Sequence, residues 1–217
     1  MYFINYTLPC AAKAFLMKTI YFCLLSVSFV LVSTFSYSQV RFGVKSGINI
    51  ATVKDLNNDP KNRIGWYGGG FANIAIKENF FLHPELLFST KGYRSIGNII
   101  NDKKTATRLN YLALPILLGY KIDNKTSLFL GPEFGYLISV YSKTPYNESF
   151  DVSNSFPVKI DIELAAGLNY NVSKNMGLEI RYTYGLKNMY ATDADGVRIG
   201  ERYAGNRVFQ MGLNYNF

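Results

Sequence analysis

The sequence predicts an all-β fold: an eight-stranded antiparallel up-and-down transmembrane β-barrel preceded by a cleavable signal peptide. Three observations lead there. Eight segments alternate apolar and polar residues with a period of two, the pattern of a strand with unlike faces. The links between them are alternately short and long, as in barrels that cross a membrane. The apolar set is too bulky to pack inside eight strands, so it must face outward.

The chain divides before its first strand. Met17 opens "MKTIYFCLLSVSFVLVSTFSYSQ", with one basic residue, Lys18, an uncharged apolar run from Thr19 to Phe35, and Ser36-Tyr37-Ser38 before Gln39. Basic, apolar and small segments in that order make a secretory signal peptide over residues 17–38, cleaved after Ser38. Residues 1–16 precede a sound initiator and read as a non-native extension, leaving 39–217 as the barrel. A membrane anchor is the alternative for the apolar run, but the small residues at its end and the missing basic flank favour removal. Cys10 and Cys23 both lie in the part removed, so disulfides cannot stabilise the exported chain.

The segments follow in order. Residues 40–51 (VRFGVKSGINIA) put Phe42, Val44, Ile48 and Ile50 on one face and Arg41 and Lys45 on the other. Residues 64–76 (IGWYGGGFANIAI) are glycine-rich, with Trp66 near one end. Residues 80–93 set Leu82, Pro84, Leu86 and Phe88 against His83, Glu85 and Lys91; residues 109–121 carry Leu112, Leu114, Ile116, Leu118 and Tyr120. Residues 126–139 oppose Leu128, Leu130, Phe134, Tyr136 and Ile138 to Glu133. Residues 157–171 oppose Ile160, Ile162, Leu164, Leu168 and Tyr170 to Lys159, Asp161 and Glu163. Residues 176–188 oppose Leu178, Ile180, Tyr182, Tyr184 and Leu186 to Glu179 and Arg181; residues 207–217 oppose Phe209, Met211, Leu213, Tyr215 and Phe217 to Gln210 and Asn214. Each is near the roughly ten residues a tilted strand needs to span a bilayer.

Three links are short, at 77–79, 122–125 and 172–175. Four are long and polar, at about 52–63, 94–108, 140–156 and 189–206. Short turns at one end and long loops at the other, with both termini at the turn end, place the termini in the periplasm. A soluble up-and-down barrel needs no such asymmetry. With the apolar set outward, Tyr120, Tyr170, Tyr215 and Phe217 gird the turn end, and Trp66, Tyr136, Tyr184 and Phe209 the other.

The charged set then lines the lumen. Arg41, Lys45, Lys91, Lys159 and Arg181 match Glu85, Glu133, Asp161, Glu163 and Glu179 in number, and mutual salt bridges are expected to close so narrow a space. Of the 23 basic residues, removal of Lys13 and Lys18 leaves 21 against 15 acidic ones. Export makes nucleic acid a poor partner for that excess, which belongs in the loops.

The chain ends "QMGLNYNF". Gln210, Gly212, Tyr215 and Phe217 fit the C-terminal signal by which outer-membrane barrels are passed to the barrel-assembly machinery. The segments "FGVKSGINIA", "LHPELLFSTKGY", "YLALPILLGY", "GPEFGYLI" and "IDIELAAGLNYNV" resemble the porin-like, or PorT-like, outer-membrane β-barrel family of Bacteroidetes. The resemblance spans residues 40–217 and is most specific at Pro84-Glu85-Leu86 with Lys91-Gly92 and at Tyr111-Leu112 with Pro115. It implies an eight-stranded barrel in the outer membrane and no defined activity.

No chemistry of catalysis emerges. His83 is the sole histidine and the exported chain has no cysteine, which excludes a multi-histidine or thiolate metal site. Some eight-stranded barrels modify lipid A with His and Ser near the outer rim. His83 lies near the opposite end with Glu85 two residues on, so it reads as a hydrogen-bonded lumen residue. Gly68-Gly69-Gly70 lacks the Lys-Ser/Thr of a phosphate loop and reads as glycine in a crowded strand. Asp193, Asp195 and Gly196 lack the spacing of a calcium loop. Asn124, Asn147 and Asn171 head glycosylation-like triplets, but Asn is common in turns for conformational reasons.

The sequence therefore predicts a non-enzymatic structural or binding barrel without cofactor or metal. It would be a monomer among outer-membrane lipids, meeting an extracellular ligand or protein through its loops. The alternatives are a small-solute channel and an accessory component of a secretion system.

Overall fold

Alternation of this kind fixes which way each side chain points, and antiparallel pairing then satisfies the backbone between neighbours. The computed structural model describes residues 40–54, 61–95, 105–143, 149–155, 159–187 and 205–217. The expected extension and signal peptide, residues 1–38, lie outside them. Eight long strands form: β1 (Val40–Lys54), β2 (Lys61–Lys77), β3 (Phe80–Ser95), β4 (Thr105–Lys121), β5 (Thr126–Lys143), β7 (Ile160–Asn171), β8 (Met176–Gly185) and β9 (Gly205–Asn216). A three-residue β6 (Ser149–Asp151) pairs with the end of β5 and leads into a 3-10 turn at Ser153–Ser155.

All pairings are antiparallel. The order β4-β3-β2-β1-β9-β8-β7-β5 closes through β4–β5, so the eight strands form a barrel. β1 and β9, the first and last strands, pair with Gly43 opposite Asn216, and the Phe217 amide donates to the Phe42 carbonyl at 2.9 Å. Closure leaves no long strand edge for another chain to pair with.

The strands run further toward the loop end than the alternation alone suggests. β1 continues to Lys54, β2 starts at Lys61, β3 reaches Ser95, β4 starts at Thr105 and β5 reaches Lys143. Polar residues extend a strand there because pairing depends on the backbone, not on an apolar face. The expected loop 140–156 thus contains the end of β5 and all of β6. The sixth and seventh segments are shorter than expected, ending as strands at Ile160 and Gly185.

The two faces differ sharply. Leu86 is 55% exposed, while its neighbours Glu85 and Leu87 are 2% and 1% exposed. Phe42, Val44, Leu112, Leu114, Leu118, Leu130, Ile180 and Leu213 are exposed in the same outward phase, giving a continuous apolar belt. Among the described residues no helix is long and apolar enough to cross a membrane, and here the strands carry the lipid-facing surface.

Candidate functional site: the charged lumen

With a period of two, residues of like parity on each strand share the inner wall. Pairing across the barrel then brings together side chains remote in sequence. Two buried ionic clusters result.

The cluster nearer the turn end centres on Glu85 of β3. Lys45 Nζ donates to Glu85 Oε1 at 2.9 Å and to Glu179 Oε2 at 2.5 Å. Arg181 grips the same carboxylate with both arms, Nη1 to Oε2 at 3.0 Å and Nη2 to Oε1 at 2.5 Å. Its Nη2 also lies 2.9 Å from Glu179 Oε1. A planar fork matched to a carboxylate is what arginine supplies and lysine does not. Two cations here balance two anions.

Next to this cluster, His83 Nδ1 lies 2.6 Å from Asn73 Oδ1, and Nε2 is 2.8 Å from Glu85 Oε1 without the alignment of a hydrogen bond. The imidazole packs among the rings of Phe71, Phe81 and Phe129. Lys45 stands 5.6 Å from the Phe71 ring centre and the Arg181 guanidinium 5.1 Å from that of Phe129. His83, Glu85 and Glu179 offer atoms within 4.8 Å of one another, the spacing of a metal site. Lys45 and Arg181 already donate to those carboxylates, and their charges oppose a metal ion.

The second cluster lies toward the loops. Lys91 Nζ donates to Glu133 Oε1 at 2.8 Å and to Glu163 Oε2 at 2.6 Å, and stands 5.3 Å from the Tyr111 ring centre. Glu133 and Glu163 face each other directly across β5 and β7. Asp161 accepts from Asn206 Nδ2 at 2.5 Å. Between the clusters, Gln210 Nε2 donates to Asn49 Oδ1, and Asn49 Nδ2 donates to Ser89 Oγ.

Two expected members stand apart. Arg41 shares the inward phase but lies exposed at the mouth of the barrel, one turn of alternation beyond the buried wall. Lys159 precedes β7, is half-buried, and donates to the Ser153 carbonyl at 2.9 Å. The expected equality of acids and bases therefore fails. Among the described residues the buried lumen holds Glu85, Glu133, Asp161, Glu163 and Glu179 against Lys45, Lys91 and Arg181.

The inner wall is also less polar than the alternation suggests. Tyr67, Phe71, Leu87, Leu117, Phe129 and Leu137 point inward and are buried. Val53, Leu109, Tyr111, Leu137 and Val140 form an apolar cluster toward the loop end, with Tyr93 and Val152 packed on it. The signal that could have revealed these fillers is the inward glycines. A Cβ at Gly119 would meet three atoms of the Phe81 ring first, and one at Gly43 or Gly167 would meet Phe71 or Phe129.

Among the C-terminal residues, Gln210 is buried in the lumen, and Gly212 leaves space for the Tyr67 hydroxyl. Tyr215 and Phe217 are exposed outward with ring centres 5.7 Å apart. Gly68, Gly69 and Gly70 lie in mid-strand opposite Ser46, Lys45 and Val44. Asp193, Asp195, Gly196 and Asn147 lie outside the described residues. At the turn end, Asp123 Oδ1 accepts the Lys125 and Thr126 amides at 2.7 and 2.6 Å, which holds its carboxyl below the usual aspartate range.

A family model described as "Outer membrane protein beta-barrel domain" matches residues 33–191. Among curated proteins, none matches the chain. Among solved structures, Neisserial surface protein A is 14% identical, with 81% of this chain and 97% of that one covered and a TM-score of 0.49. Ail, the attachment invasion locus protein of Yersinia pestis, is 15% identical over 82% and 99% of the two chains, with a TM-score of 0.48. OprG of Pseudomonas aeruginosa is 14% identical over 83% and 97%, with a TM-score of 0.44.

Proposed function

Because the chain belongs to the outer membrane protein beta-barrel domain family, we propose that it is a closed barrel with a non-enzymatic structural or binding role, exercised through its long loops at the cell surface. One observation carries the reading: charged side chains from β1, β3, β5, β7 and β8 meet inside the barrel and are 4% exposed or less. Lys45 and Lys91 each bind two carboxylates, so removing a cation leaves buried acids unpaired, and the network favours one arrangement and opposes an open water path.

In this reading both termini and the short turns are periplasmic, and residues 17–38 are removed on export. Gln210, Gly212, Tyr215 and Phe217 serve recognition by the assembly machinery. The barrel works as a monomer among outer-membrane lipids. The described strand ends on the loop side carry a basic row: Lys61, Arg94 and Lys143 fall in line on β2, β3 and β5, with Arg108 of β4 beside them. That surface suits an anionic extracellular partner. The PorT-like resemblance keeps an accessory component of a secretion system as an alternative role.

A small-solute channel is the competing reading. It is favoured by buried lumen atoms without a protein partner, such as Thr183 Oγ1 and Gln210 Oε1, which water would satisfy. Planar-bilayer recording separates the two. The closed barrel gives negligible steady conductance, and Arg181→Ala or Lys91→Ala, each of which leaves buried carboxylates short of a cation, costs about 3–5 kcal/mol of folded stability. A stable open channel, with both substitutions nearly neutral, would overturn the proposal.

A further inference from the structure

Among the described residues the loop-side cluster contains three carboxyl groups and one ammonium. Lys91 of β3 is shared between Glu133 of β5 and Glu163 of β7, while among the described residues Asp161 of β7 has Asn206 of β9 as its one side-chain donor. The other polar and charged groups facing it are accounted for. Lys45 of β1 is held by Glu85 and Glu179, and Arg181 of β8 is forked on Glu85. Tyr111 of β4 lies beneath Lys91, Arg63 of β2 donates to the Lys91 carbonyl, and Thr183 Oγ1 of β8 has no hydrogen-bond partner among the described residues. If every carboxyl were ionised, two negative charges would remain uncompensated where Glu133, Glu163 and Asp161 are 1%, 1% and 4% exposed. Charges so buried are strongly disfavoured without a counter-charge.

The geometry locates where one of those two charges is relieved. Glu163 uses Oε2 for Lys91 and leaves Oε1 without a partner; Asp161 uses Oδ2 for Asn206 and leaves Oδ1 without one. The two residues are two positions apart on β7 and both buried on its inward face, so their carboxyl groups are neighbours. Ionised carboxylates are acceptors only, so two of them cannot bond. One proton turns one of them into a donor and satisfies both orphaned oxygens. A metal ion fits less well, because among the described residues the acidic group whose ligand atoms converge is His83, Glu85 and Glu179 in the other cluster.

We infer that Asp161 and Glu163 form a proton-binding site in the lumen, holding one proton between their carboxyl groups, and that this proton helps to keep the filled barrel closed. The second part rests on the closed-lumen reading; the first does not. Loss of the proton at alkaline pH leaves two adjacent carboxylates that repel each other and draw in water and cations. Replacement by an amide supplies a permanent N–H donor in the proton's place.

Infrared difference spectroscopy of the full barrel in bilayers tests the site. At neutral pH the wild type gives a protonated-carboxyl band that shifts in heavy water and disappears on alkalinisation. The band is lost in Asp161→Asn and in Glu163→Gln and kept in Glu133→Gln, with folding of each checked by heat-modifiable migration. Absence of the band from the wild type, or its survival in both Asp161→Asn and Glu163→Gln, overturns the proton site. Steady conductance of the wild type at neutral pH with the band present would instead defeat the closed lumen and leave the site standing.

Discussion

At the scale of single residues, the lumen is filled by aromatic rings laid over glycines. Phe81 of β3 and Gly119 of β4 are opposite each other, and the three atoms nearest a Cβ at 119 all belong to the Phe81 ring. An added methyl has no free volume there and must displace the ring. Gly119→Ala is expected to cost about 1–3 kcal/mol. Combined with Phe81→Leu, the two substitutions should cost less than the sum of their separate effects, because the smaller side chain vacates the space. A double-mutant cycle in urea, read by gel migration of the folded barrel, measures this; strict additivity would show that the contact is not the cause. Gly167 behaves differently, since a Cβ there meets the Ile180 carbonyl as well as Phe129, and backbone cannot step aside.

At the scale of elements, the short turns hold the register that the lumen pairs require. In the turn from β4 to β5, the exposed Asp123 carboxylate caps two amides, and those bonds lower its pKa in the folded state. A carboxyl whose folded value is depressed contributes stability above its ordinary unfolded value and loses it as pH falls through the folded value. The wild type should therefore lose more stability on acidification than Asp123→Asn, which keeps an acceptor but no charge. Unfolding midpoints at neutral pH and in acid compare the two; equal acid sensitivity would remove Asp123 from the turn's energetics. The matching turn from β7 to β8 uses Ser173 Oγ, which accepts the Met176 amide at 3.1 Å and carries no charge to titrate.

At the scale of the whole molecule, closure depends on the last strand finding the first. β9 pairs with β1 across nearly the whole described chain, and such long-range pairing is slow unless something guides it. Phe217 sits at that seam, 73% exposed on the lipid face, with its amide bonded to Phe42. Phe217→Lys is expected to lower the yield of folded barrel several-fold, while Ser149→Lys on the exposed β6 leaves it unchanged. Heat-modifiable migration of protein from outer membranes gives the comparison, and equal yields would remove the C-terminal residue from assembly.

The sequence determined by itself what depends on a period of two: eight strands, their lipid and lumen faces, and the contrast between turns and loops. Leu86 outside and Glu85 inside follow from neighbouring positions in one strand, so a local pattern contains them. The tertiary structure alone decided which inward residues meet. Lys45 and Glu179 are 134 positions apart, and Arg181 and Glu85 are 96 apart; their contact depends on the relative height of strands around a closed sheet. The same axial offset leaves Arg41 at the mouth and Lys159 beside Ser153, although both have the parity or charge of lumen residues. Alternation says which side of the wall a residue faces, and strand register says how far along the axis it stands. Only the second quantity, set by pairing through the whole barrel, decides whether a buried charge finds its partner.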